Sequence, residues 1–115
     1  MKVLVFGYGS IGKRHVVNLQ SLVPQVQIEI YDPLLDTHAS EIAFVHDNVD
    51  ADAAIVASPT RFHMAHAALL SLANIPFYLE KPVCLTSQIG EFEEMEMGKS
   101  NCCVGHQYRF AIDWP

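Results

Sequence analysis

Gly7, Gly9 and Gly12, with a carboxylate further on at Asp32, are the residues whose types and spacing best suit chemistry, and the chemistry is dinucleotide binding. In the run Gly7-Tyr8-Gly9-Ser10-Ile11-Gly12, the first glycine permits a tight turn. The second lets a pyrophosphate approach the backbone, and the third lets a helix pack closely on a strand. If a helix starts here, the N–H groups from about Ser10 to Lys13 lack intrahelical partners, and the helix dipole adds an attraction for negative charge. Ser10 and Ile11 therefore join the expected site through their backbone. Asp32 stands twenty residues beyond Gly12, where a carboxylate accepts hydrogen bonds from the adenosine ribose hydroxyls and repels a 2′-phosphate. NAD is thereby favoured over NADP. A simpler reading of Asp32-Pro33 is the start of a turn, and the two readings are compatible.

A six-residue glycine pattern matches by chance, so its surroundings decide its meaning. Lys2-Val3-Leu4-Val5-Phe6 has the length and composition of a strand, and from Ile11 to Leu22 the chain reads as a helix that Pro24 ends. Gln27-Ile28-Glu29-Ile30-Tyr31 alternates polar and apolar residues as a second strand, and Asp32 ends it. Pro33 to Glu41 is poorly patterned, with room for a short helix; Ala43-Phe44-Val45 reads as a third strand and His46-Asp47-Asn48 as loop. Ala53 to Ala57 is a continuous apolar run, as expected for a strand covered on both faces. From Thr60 a helix is expected with Phe62, Ala65, Leu69 and Leu72 on one face. Phe77-Tyr78-Leu79 is the next strand, a helix capped by Thr86 or Ser87 closes at Gly98, and Asn101 to Gly105 is the last strand. This alternation calls for right-handed crossovers and a doubly wound, mostly parallel sheet in a three-layer αβα Rossmann arrangement, with strand order 3-2-1-4-5-6. Ligands then bind beyond the C-terminal ends of the strands. Gly7 to Gly12, Asp32, Ser58 to Thr60, Glu80 to Pro82 and His106 to Arg109 all fall on that edge.

Composition narrows the classes of function. The 115 residues form one domain, and half of them are hydrophobic, which argues against disorder. Thirteen acidic residues outweigh seven basic ones, and no basic stripe offers itself to a phosphate backbone, so nucleic acid is not an expected partner. No apolar run approaches a membrane span, and the apolar stretch before Gly7 is too short for a signal peptide. Cys84, Cys102 and Cys103 show no Cys-x-x-Cys spacing, which implies neither a disulfide framework nor a zinc site and points to a reducing, cytoplasmic setting. The adjacent cysteines should point to opposite faces of a strand. His63 and His66 make a His-x-x-His, too little to imply a metal, and none is expected.

Several segments together resemble the glucose-fructose oxidoreductase / inositol dehydrogenase / MocA family. They are the glycine run with Arg14-His15 and Asn18-Leu19, Ala57-Ser58-Pro59-Thr60 followed by His63, Glu80-Lys81-Pro82, and Gly105 through Phe110. The resemblance implies an NAD(P)-dependent dehydrogenase of sugars or polyols, with an N-terminal Rossmann domain and a C-terminal α/β domain that supplies much of the substrate site. It implies that Lys81 stands beside the nicotinamide and holds the reacting oxygen, a role an ammonium suits because it stabilises the charge that develops there. It also assigns Ser58 and Pro59 to the nicotinamide and its ribose, Glu80 and His63 to the cofactor site, and allows a cis bond before Pro82. Two departures stand out. Gln107 precedes Tyr108-Arg109 where many members have Asn, and the sequence stops at Trp114-Pro115, without the family's second domain.

The expectation is an NAD-binding domain, residues 1–115, of a dehydrogenase, with the substrate domain absent. Alone, it should bind cofactor without competent hydride transfer, exposing an apolar patch that favours self-association or a completing chain. The alternative is a stand-alone dinucleotide-binding or redox-sensing module. A methyltransferase is disfavoured, because Val5-Phe6 stand where that loop usually follows an acidic residue.

Overall fold

Short apolar runs become strands in this protein, and the stretches between them wind back as helices. The structure is a computed structural model that describes residues 1–95 and 101–105. In chain order the elements are β1 (Lys2–Phe6), α1 (Ser10–Leu22), β2 (Gln27–Tyr31), α2 (Glu41–Asp47), β3 (Ala53–Val56), α3 (His63–Leu72), β4 (Phe77–Leu79), α4 (Ile89–Glu94) and β5 (Cys102–Val104). Single 3-10 turns occupy Pro33–Leu35, Thr60–Phe62 and Thr86–Gln88. Among the described residues the strands form one sheet in the order β2-β1-β3-β4-β5, every pair parallel. The doubly wound α/β architecture expected of the sequence is the one that forms.

The expected third strand does not form. Ala43, Phe44 and Val45 lie inside α2, where the Ser40 hydroxyl caps the helix by accepting from the Ala43 N–H at 3.1 Å and Glu41 fills the first turn. A serine cap before an acidic first turn is a helix start, and an apolar triplet is too short to show a period that would overrule it. His46 and Asp47, expected in a loop, end the same helix. Without that outer strand the order is the expected one. Gly98 and His106 to Arg109 lie outside the described residues.

Register is what makes the site. Phe6 pairs with both Tyr31 and Val56, Val56 pairs with Leu79, and Leu79 pairs with Val104. The strands therefore end level, and the residues that follow them, Gly7, Asp32, Ala57, Glu80 and Gly105, stand in one row. Each step of the row is tied to its neighbour: Gly7 N–H to the Tyr31 carbonyl (2.8 Å), Ala57 to Phe6 (2.8 Å), Glu80 to Val56 (3.0 Å) and Gly105 to Leu79 (2.8 Å).

Right-handed crossovers put α1 on one face of the sheet and α2, α3 and α4 on the other. The second face holds the main core, where Leu4, Phe6, Phe44, Leu70, Val56 and Leu79 are fully buried, each contributing about 1.5–3 kcal/mol. Opposite, α1 covers Val3 and Val5 through Val16, and beside it an apolar depression of about 720 Å³ runs over Ala53, Ile55, Tyr78 and Cys103. The adjacent cysteines do face apart: Cys102 packs against the core, where burial pushes its thiol up to about 11, and Cys103 is exposed. In α3 the buried residues are His63, Met64, His66, Ala67 and Leu70; of the expected face Leu69 packs against the core, half-buried, while Phe62, Ala65 and Leu72 are exposed. The helix is apolar nearly all round, so apolar periodicity could not set its rotation; two buried histidines do.

Candidate functional site

The glycine turn is built from main chain packed on main chain. Gly7 sits at φ +93°, and a Cβ there would lie 2.7 Å from the Ala57 carbonyl oxygen and from the Ser58 backbone. A Cβ on Gly12 would fall within van der Waals contact of the Gly7 carbonyl, its carbon at 2.8 Å. These two glycines are required by the protein itself. Gly9 differs: its φ of −75° suits any residue, and a Cβ would meet nothing within 4 Å. Gly9 is also the N-cap of α1, which has no side-chain cap and no acidic residue in its first turn. The dipole and the unpartnered N–H groups of a 13-residue helix therefore face open space where an anion can reach them.

Asp32 is fixed beside that turn by two backbone donors. The Tyr8 N–H donates to Oδ2 at 2.7 Å and the Leu34 N–H donates to Oδ1 at 2.9 Å. Asp32 thus starts the turn at Pro33–Leu35 and also braces the glycine loop, while each carboxylate oxygen keeps lone-pair capacity for a further donor. Gly7, Gly9, Ser10, Ile11, Asp32, Ser58 and Pro59 line one groove of about 590 Å³, together with Pro33, Leu34, Ala57, Arg61 and Phe62. Pro33, Leu34, Arg61 and Phe62 were not among the expected site residues, although each lies within six residues of a strand end. The Arg61 guanidinium lies 4.7 Å from the centre of the Phe62 ring.

Beneath the groove, Ser58 Oγ and His66 Nδ1 share a hydrogen bond of 2.9 Å. The His66 ring sits 4.6 Å from Phe6, and burial pushes it down to about 4, so it is a neutral aromatic of the core. The Tyr31 hydroxyl donates to Glu41 at 3.1 Å; burial first, then that carboxylate, raises it above its ordinary value. His63, 1% exposed, lies behind the groove wall rather than on it. Glu80 and Lys81 share the row of strand ends but stand outside the groove's walls. The Lys81-Pro82 peptide is cis. Lys81 is exposed and, among the described residues, has no hydrogen-bond or ion-pair partner, so a surface salt bridge does not account for it. No group of three His, Cys, Asp or Glu is placed to hold a metal, and no helix is long and apolar enough to cross a membrane, among the described residues.

Comparison with known proteins agrees with this geometry. A family model described as an oxidoreductase family with an NAD-binding Rossmann fold matches residues 1–104. Among solved structures, the WlbA dehydrogenase of Chromobacterium violaceum, in complex with NADH and UDP-GlcNAcA, superposes with a TM-score of 0.72 at 20% identity, covering 96% of this chain and 36% of its own. The scyllo-inositol dehydrogenase of Lactobacillus casei, with bound NAD(H) and scyllo-inositol, gives 0.67 at 17% identity over 91% of this chain and 36% of its own. A Gfo/Idh/MocA family oxidoreductase of Vibrio cholerae gives 0.67 at 18% identity over 91% and 38%. No curated protein gives a significant match. The chain spans about a third of the length of these structures.

Proposed function

Because this chain belongs to the glucose-fructose oxidoreductase / inositol dehydrogenase / MocA family as an NAD-binding Rossmann domain, we propose that it presents NAD along the C-terminal edge of its sheet for hydride transfer to or from a sugar or polyol. The observation that carries this is the open space over Gly9 at an uncapped helix start. A glycine that neither backbone angle nor packing requires is explained by a ligand that comes within contact distance of the backbone.

In this reading the pyrophosphate lies against the first N–H groups of α1, and Asp32 accepts the ribose hydroxyls on the lone pairs that Tyr8 and Leu34 leave free. Ser58 and Pro59 face the nicotinamide ribose, and Lys81 holds the reacting oxygen by its charge. NAD, when bound, supplies the hydride chemistry; the chain's residues bind and orient it. Substrate selection and a general base are given to none of this chain's residues; the part proposed for it is to bind and orient the cofactor. Three free thiols fit a reducing, cytoplasmic setting.

Titration calorimetry with NADH, NADPH and S-adenosylmethionine tests the assignment. NADH should bind, and more tightly than NADPH; the methyl donor should not. Tighter NADPH binding removes the role given to Asp32, and failure of both dinucleotides overturns the reading.

A further inference from the structure

Lys81 has no partner among the described residues, yet the residue on each side of it is held by a histidine from a different helix. His15, on α1, places Nε2 2.7 Å from Glu80 Oε1, with the Tyr78 ring edge-on at 5.5 Å. His63, the first residue of α3, places Nδ1 2.8 Å from the Pro82 carbonyl oxygen and Nε2 2.7 Å from the Ser58 carbonyl oxygen. We propose that His15 and His63 are positioning residues that fix Lys81 from both sides, His15 through Glu80 and His63 through Pro82, and that His63 also ties this segment to the Ser58 loop. The proposal rests on the role given to Lys81 above. Neither histidine lines the groove, so both act through the residues they hold.

The partners of His63 specify its protonation. A carbonyl oxygen only accepts, so both ring nitrogens must donate, and imidazole does this only when doubly protonated.

NADH and ADP-ribose separate the two ends of the site, because ADP-ribose lacks only the nicotinamide that Lys81 stands beside, and the reduced ring carries no charge to oppose an ammonium. In calorimetric titrations of the whole chain, His15→Gln and His63→Gln should each lower the ratio of NADH to ADP-ribose affinity by roughly tenfold, as for one lost hydrogen-bonded contact. ADP-ribose affinity should stay within about twofold, and the effect of each substitution should vanish in a Lys81→Ala background. Parallel loss of both ligands, an unchanged ratio, or full effects without Lys81 would overturn the clamp. A parent chain that binds NADH no better than ADP-ribose, or a Lys81→Ala variant with an unchanged ratio, would instead overturn the role of Lys81. If His63→Gln does not fold, nitrogen NMR of the parent decides its half: both His63 ring nitrogens should carry a proton, and one bare nitrogen overturns the bridge.

Discussion

At the glycine-turn end of the site the groove is made of main-chain atoms and one carboxylate held by main-chain donors; the Glu80-Lys81-Pro82 end, outside the groove's walls, is held by two histidine side chains, His15 on the Glu80 carboxylate and His63 on the Pro82 carbonyl. A backbone surface is tolerant of most changes around it and fails abruptly when a Cβ intrudes. A side-chain surface is graded, because each hydrogen bond contributes about 0.5–1.5 kcal/mol and can be lost singly. It also brings two histidines, His15 and His63, to the site, which the glycine-turn end lacks.

The sharpest way to break this comparison is Gly12→Ala. With the Gly7 carbonyl in the place the new methyl needs, α1 must move, and denaturant unfolding should show a loss of about 3 kcal/mol or more. A variant as stable as the parent would mean that the turn is not close-packed. Next is the pH dependence beneath Ser58. His66 titrates near 4 in the folded chain against about 6.5 unfolded, so the unfolded state binds the extra proton between those values. Stability is full above about 6.5 and falls as pH drops toward 4, by up to roughly 3 kcal/mol over the window. Denaturation at stepped pH checks this, and His66→Phe should flatten the slope while keeping a ring against Phe6.

Gly9→Ala should separate binding from folding. Because its Cβ meets nothing within 4 Å, stability should change by less than about 0.5 kcal/mol, while NADH affinity falls by about a hundredfold through contact with the pyrophosphate. A variant that binds NADH normally would remove the pyrophosphate from this turn. Smallest is Asp32→Ala, which should weaken NADH by roughly tenfold through its lost charge-assisted hydrogen bonds and weaken NADPH less. Equal weakening would show that Asp32 acts only by bracing Tyr8 and Leu34.

The backbone-built end was legible in the sequence for the same reason that it is abrupt: Gly7, Gly9, Gly12 and Asp32 act through local geometry, and their spacing carries it. Strand runs such as Val3 to Phe6 and Ala53 to Val56 were readable because a buried parallel strand is apolar throughout. Ala43-Phe44-Val45 was misread because three apolar residues fit strand or helix equally, and the deciding signal, Ser40 before Glu41, lay outside the run. The rotation of α3 was hidden by its apolarity on every side. The pairing of His15 with Glu80 crosses 65 positions and follows only from strands that end level, which no local pattern records.

The sheet's order also bears on how the chain is made. β1 is made before both of the strands it pairs with, β2 complete at Tyr31 and β3 at Val56. Translation at about 5–20 residues per second puts roughly 3–10 s between the emergence of Phe6 and that of Val56. Through that interval Val3-Leu4-Val5-Phe6, among the most buried residues of the finished protein, is a sticky nascent segment, and of the strands paired on both sides among the described residues β1 waits through the longest stretch of synthesis for its second neighbour.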